Sequence, residues 1–332
     1  MNTSNSSAPH QGRPAPVRSP MRKVVMLGLV IALFVFGAGP RANAQQATSE
    51  PIYPNVRYGR YDRNVLDFYR AESAKPAPVL IYFHGGGWVQ GDKKGFRVAP
   101  ILKAGISVVS ANYRFTTGTP DAAPYPAPME DSARVVQFVR SRAKEWNIDP
   151  DRIALTGSSA GAVISMWIGY RDDMARPDSA DPIERFSTRV TCIVPLAGPT
   201  TLDPKEILAR VGGNPSIHPA TLPFFDVKSV DELQQPAKLA IVKDASPITH
   251  VTRDDPPTFM QYSFPLGGTP LPPETPINTS IHHSEFGRIL KEKLDAAGVE
   301  NVLQTKDDGS DPLGMWRFLA KHLKVEFGGA GK

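Results

Sequence analysis

Residues 152–170 read RIALTGSSAGAVISMWIGY. The first six are a short, largely apolar run of the kind that forms a buried strand, and 162–170 are an apolar segment that reads as a buried helix. Between them, Gly157-Ser158-Ser159-Ala160-Gly161 is a G-x-S-x-G pattern in the strand–turn–helix setting that this pattern requires. So sharp a turn strains its central residue, and the positions two away must lack bulk. Ser159 would stand at a helix N-terminus, where the dipole and unpaired N–H groups favour developing negative charge. Ser159 is therefore a candidate nucleophile and the Ala160 amide a candidate donor. The plainer alternative is a glycine-rich turn with a capping serine.

Upstream, the apolar run at 79–83 (VLIYF) leads directly into His84-Gly85-Gly86-Gly87-Trp88. Three glycines let a backbone turn its N–H groups outward as an anion cradle. The Gly86 and Gly87 amides, with that of Ala160, form a candidate oxyanion hole, each such donor being worth roughly 3–4 kcal/mol of barrier. His84 sits on the oxyanion side and reads as an organiser of the loop, not a base. A phosphate loop is the rival reading, but no Lys-Ser/Thr follows the glycines.

Similar short runs, rich in β-branched residues, occur at 106–113, 190–197 and 258–262. Continuous rather than alternating apolar strands indicate a sheet buried on both faces. Met129, Ala133, Val136, Val139, Ala143 and Trp146 recur every three or four residues as one helical stripe. Phe286, Leu290, Leu294 and Ala297 form another, with Gly298 placed as its stop. Strands alternating with helices imply an α/β fold with a mostly parallel central sheet and helices on both faces. There is no internal repeat, so residues 58–325 are expected as one domain preceded by a short extension at 45–57. The connection before 258, rich in Pro and Gly with one short helix around 204–211, is long enough for a lid or pocket wall.

The formal charge of +5 comes from 38 basic and 33 acidic residues. Arg13, Arg18, Arg22, Lys23 and Arg41 precede the first acidic residue, and without them the balance is 33 against 33. The basic character belongs to this leader, which excludes a nucleic-acid surface on the domain. Residues 24–38 are uncharged and apolar, follow Arg22-Lys23 and precede Ala42-Asn43-Ala44. That is the pattern of a secretory signal peptide cleaved after Ala44, too short an apolar run for a spanning helix. Met21 would open a compact signal peptide by itself. Export to the periplasm or medium is the expectation, with no stable membrane insertion after cleavage. The single cysteine, Cys192, excludes an internal disulfide and a cysteine zinc site, and reads as a small buried hydrophobe.

With these motifs in order, the chain resembles an α/β-hydrolase of the bacterial feruloyl-esterase-like and carbohydrate-esterase branch, related to hormone-sensitive-lipase-type esterases. Further pieces of the resemblance are Asn64-Val65-Leu66-Asp67, Gly91-Asp92-Lys93, Asn112-Tyr113-Arg114, residues 148–153 (IDPDRI), Ala245-Ser246-Pro247-Ile248 and Asp254-Asp255-Pro256-Pro257. The resemblance implies a Ser–His–acid triad, with the acid just after the strand that follows Asp-Asp-Pro-Pro and the histidine after the last strand. Neither is present. The first loop reads Ser263-Phe264-Pro265-Leu266-Gly267-Gly268, and the loop after 301–305 holds no histidine. A serine hydroxyl without a base is a poor nucleophile. Of the six histidines beyond the leader, His282 and His283 stand where a loop enters the helix 285–297. His283 is the candidate base. A polar helix-entry pair is the alternative, and a metal ligand has no partner at ligand spacing. Asp203, Asp307, Asp308, Asp311 and Glu285 are candidates for the orienting carboxylate. The expected function is a secreted serine esterase of small acyl or aryl esters, some carbohydrate-linked, with an atypical triad and no cofactor. The alternatives are a hydrolase-fold binding protein with impaired catalysis and a prolyl-oligopeptidase-type peptidase, which needs the same base.

Overall fold

The computed structural model describes residues 1, 50–214, 217–308 and 311–326. The chain divides into Met1–Gln46 and Ala47–Lys332, and every strand and helix below belongs to the second unit. The candidate export segment and its cleavage site lie outside the described residues. No helix among the described residues is long and apolar enough to cross a membrane.

Among the described residues, eight strands form one sheet: β1 (Tyr53–Arg57), β2 (Val65–Tyr69), β3 (Ala77–Phe83), β4 (Ser107–Ala111), β5 (Ile148–Ser158), β6 (Cys192–Leu196), β7 (Thr258–Gln261) and β8 (Asn301–Gln304). Their order is β1-β2-β4-β3-β5-β6-β7-β8. The two pairings of β2 are antiparallel and those from β4 to β8 are parallel. β1 falls within the stretch expected as an N-terminal extension.

The helices are α1 (Ala99–Lys103), α2 (Ala127–Ser141), α3 (Ala143–Trp146), α4 (Ala160–Tyr170) and α5 (Pro204–Arg210). They continue with α6 (Thr221–Phe225), α7 (Pro236–Ala245), α8 (Ile277–Ser280), α9 (Glu285–Ala297) and α10 (Gly314–Leu323). The stripe expected as one helix over 129–146 is broken at Arg142 into α2 and α3, and Asn147 in the left-handed region ends it. Successive residues along a strand face opposite sides, and the core divides accordingly. Val79, Ile81 and Phe83 of β3 pack with residues of α2, α4 and α9. Leu80, with Ala154 of β5, packs with Ile101 of α1 and Phe318 and Leu319 of α10. Both faces of the sheet are thus covered, which is why its central strands read as unbroken apolar runs.

Register decides where chemistry can occur. Phe83 pairs with Gly157, Ser158 with Leu196, and Leu196 with Gln261. The carboxyl ends of β3, β5, β6 and β7 therefore lie along one edge, where open α/β sheets gather their ligands.

Candidate active site

β5 ends at Ser158 and α4 begins at Ala160, so one residue turns the chain. That residue, Ser159, has φ 52° and ψ −117°. A non-glycine residue held so costs about 1–3 kcal/mol, which the surrounding packing must sustain. The Ser159 amide donates to Leu196 O at 3.0 Å, tying the bend to β6. The flanking glycines are required by close approach. A Cβ on Gly161 would stand 2.0 Å from Phe83 O, and one on Gly157 2.4 Å from the Gly161 carbonyl carbon.

The loop leaving β3 runs alongside this bend. Gly86 and Gly87 have φ of 104° and 60°. Among the described residues, the amides of Gly86, Gly87 and Ala160 donate to no backbone or side-chain acceptor, so three N–H groups are free to meet an anion. His84 holds the loop. Its Nδ1 donates to Gly85 O at 2.7 Å, its Nε2 accepts from Arg63 at 3.2 Å, and Tyr113 stacks on the ring with a centroid distance of 4.4 Å. Burial first, and the nearby Arg63 charge to a lesser degree, depress its pKa to about 4. His84 is therefore a neutral structural ring, as its position in the sequence indicates.

The serine meets His282. Its hydroxyl donates to His282 Nε2 at 2.9 Å, and His282 Nδ1 stands 2.8 Å from Asn278 O. A carbonyl can only accept, so Nδ1 carries the hydrogen and Nε2 presents its lone pair to the serine. Asn278 belongs to α8, a single turn, and its carbonyl takes no backbone amide among the described residues. It is one of the orphan carbonyls that every helix end leaves. Burial lowers the His282 pKa below the usual imidazole value, opposed by the bond to Asn278. The ring is neutral at pH 7 and can accept a proton.

This corrects the expectation for His283, which the structure turns away. Its ring stacks on Phe264, and its Nδ1 accepts from the Glu285 amide at 3.2 Å. The cause is one of direction, since consecutive residues of a tight helix entry point to different sides. His282 is the side chain that sequence reasoning missed, by one position. The available signal was the His-His pair itself. The Asn278 carbonyl has no sequence signal, being main chain.

None of the carboxylates considered for orientation contacts His282. Asp203 accepts from the Lys205 amide as the N-cap of α5, and Asp307 accepts from the Leu266 amide. Asp308 takes the Thr305 amide, Asp311 pairs with Arg317, and Glu285 pairs with Arg288. The loop after β7 is instead tied to the segment that follows His282. Ser284 Oγ donates to Phe264 O, joining that loop to the start of α9. Among the described residues no group of three or more His, Cys, Asp or Glu is gathered for a metal.

A family model described as BD-FAE matches residues 66–263, which include the glycine loop after β3 and the serine turn. The chain belongs to the BD-FAE family. The match ends before His282, so it covers Ser159 and the loop after β3 but not His282. The chain is 30% identical over 219 residues to the "Probable carboxylic ester hydrolase LipM" of Mycobacterium tuberculosis, covering 62% of this chain and 46% of that protein. It spans about half the length of the curated relatives it matches. Among solved structures it is similar to an acetyl ester-xyloside bifunctional hydrolase from Caldicellulosiruptor lactoaceticus, with TM-score 0.57, 25% identity, and coverage of 78% of this chain and 86% of that one. A truncated carbohydrate esterase from gut microbiota aligns with TM-score 0.64 at 21% identity, over 84% of this chain and 98% of that one. The fold of this BD-FAE chain is that of the α/β-hydrolases.

Proposed function

We propose that this protein is a serine esterase that hydrolyses carboxylic esters through Ser159 and His282. The observation that carries the reading is the 2.9 Å contact between Ser159 Oγ and His282 Nε2 at a strained strand–helix bend. In the proposed cycle, Ser159 Oγ attacks the ester carbonyl while His282 Nε2 takes its proton. The amides of Gly86, Gly87 and Ala160 receive the negative charge on the carbonyl oxygen. Collapse expels the alcohol, which leaves with the proton from His282, and water then hydrolyses the acyl-enzyme by the same route. Asn278 O holds the ring in the productive tautomer, the orienting part of an acid's role, but supplies no negative charge to an imidazolium.

The esterase names of the relatives support ester bonds as the substrate class, and the acetyl ester and carbohydrate names of the structural neighbours support small acyl groups, some of them on carbohydrate. The basic, apolar leader ending in Ala42-Asn43-Ala44 supports export. One observation favours a second reading, a hydrolase-fold binding protein: among the described residues, no carboxylate hydrogen-bonds or ion-pairs with His282. Exposing the full chain and its Ser159→Ala and His282→Ala variants to a fluorophosphonate probe and to p-nitrophenyl acetate separates the two. The esterase reading requires labelling and turnover that depend on both residues. A folded protein with neither is a binding module.

A further inference from the structure

A second imidazole, besides His282, lies against the loop that leaves β3. His218 lies in the connection between β6 and β7, where the chain passes over the oxyanion loop. A Cβ built on Gly87 would stand 2.8 Å from Ala220 Cβ, 3.3 Å from His218 Cε1 and 3.7 Å from His218 Nδ1. The ring thus rests against the residue that offers one of the three free amides.

Its tautomer follows from its neighbour. The Ala220 amide donates to His218 Nδ1 at 3.2 Å, so that nitrogen bears no hydrogen and the neutral ring carries its proton on Nε2. Nε2 has no partner among the described residues, and the side chain is only half-buried. Burial, and after it a charge on His282, push the His218 pKa down, so a neutral donor is the resting form. One nitrogen of the ring is committed to the backbone, and the other is an unspent N–H on a ring whose Cε1 stands 3.3 Å from a Cβ built on Gly87.

We propose that His218 contacts the substrate in this site, donating its Nε2–H to the ester on the Gly87 side of Ser159. The inference rests on the esterase reading and adds a residue to it. Its logic is electrostatic. Among the described residues, the imidazolium that forms at His282 has a carbonyl dipole and no carboxylate behind it, so more of the transition-state stabilisation is called for on the oxyanion side. A neutral N–H there adds a dipole without placing a positive charge beside the base. No bond is made or broken at His218.

The amide analogues of histidine separate this role from a structural one. His218→Asn keeps an acceptor where Nδ1 meets the Ala220 amide and lacks the outer donor, whereas His218→Gln places an amide nitrogen near Nε2. Steady-state turnover of p-nitrophenyl acetate, fluorophosphonate labelling and thermal melting are compared for both variants and the full wild-type chain. His218→Asn is expected to melt with the wild type and to lose roughly 10- to 100-fold in kcat, with KM moving less. His218→Gln is expected to recover part of that loss. Wild-type kcat in His218→Asn, or equal losses in both variants with a lowered melting point, overturns the proposal while Ser159-dependent labelling keeps the esterase reading. A wild-type chain that neither labels nor turns over removes both.

Discussion

His282 and His283 are adjacent, and only the first meets Ser159. Their variants should therefore behave differently. His282→Ala is expected to lower kcat on p-nitrophenyl acetate by at least about a thousandfold, since it removes the proton acceptor. His283→Ala is expected to leave kcat within about threefold while lowering the melting temperature by several degrees, because a buried ring and its bond to the Glu285 amide are lost. The reverse pattern in steady-state kinetics would return the base to His283. The pH profile carries a second expectation. Burial lowers the His282 pKa, so the ring stays unprotonated to lower pH than a free imidazole. The ascending limb of kcat/KM should then lie below pH 6.5, and a limb at or above that value would contradict a desolvated base. What the sequence disclosed at this scale follows from what each residue must do. Glycines and a serine at a bend are demanded by local geometry, so Ser159, Gly86, Gly87 and Ala160 could be named from their own neighbourhoods. Which of two histidines faces the serine depends on how the chain enters α9, a tertiary matter. The main-chain carbonyl of Asn278 beside the His282 ring leaves no letter to read.

The bend between β5 and α4 shows why elements of this protein were more legible than their contacts. Continuous apolar runs marked the central strands because both sheet faces are covered, and the period of three to four marked α2 and α9. The stripe gave no warning that Arg142 interrupts it, since α2 and α3 keep burying the same side. The order of strands was also hidden, because pairing joins residues far apart in the chain. Phe83 against Gly157 is the pairing on which the site depends. There the helix passes so close to β3 that Gly161 faces Phe83 O directly. Gly161→Ala is expected to destabilise the fold by about 3 kcal/mol in chemical denaturation, since the three clashing atoms, Phe83 O, Phe83 C and His84 O, are all main chain. Gly105 offers the contrast. Its φ is +77° but nothing lies within 4 Å of an added Cβ. Gly105→Ala should therefore cost only about 1 kcal/mol of backbone strain. Equal costs at the two sites would mean that close approach is not what keeps glycine at 161.

For the whole molecule, the site is a product of the sheet. Residues 84–87, 159 and 282 come from three separate connections, and only the common edge of β3, β5 and β7 brings them together. Stability and activity are joined in His84, which is buried at the root of the oxyanion loop. Its pKa is depressed to about 4 in the folded protein, against 6.5 for the free side chain. The unfolded chain therefore binds a proton between these values while the folded one does not. The sign follows directly. The group leaves stability undiminished above pH 6.5 and withdraws about 3 kcal/mol as pH falls from 6.5 to 4. Asp255 acts in the opposite sense, since burial first of all raises its pKa to about 6 and it gains a proton on folding as pH falls. Total stability mixes both, so the contribution of His84 must be read as a difference. His84→Gln keeps a donor and an acceptor in the loop without the titration. Urea unfolding of both proteins between pH 7 and pH 4 should show the wild type losing about 3 kcal/mol more than His84→Gln over that interval, whatever the offset between them at pH 7. Parallel curves would show that His84 titrates alike in the folded and unfolded chains, and the oxyanion loop would then be more open to water than its packing against Tyr113 and Arg63 implies.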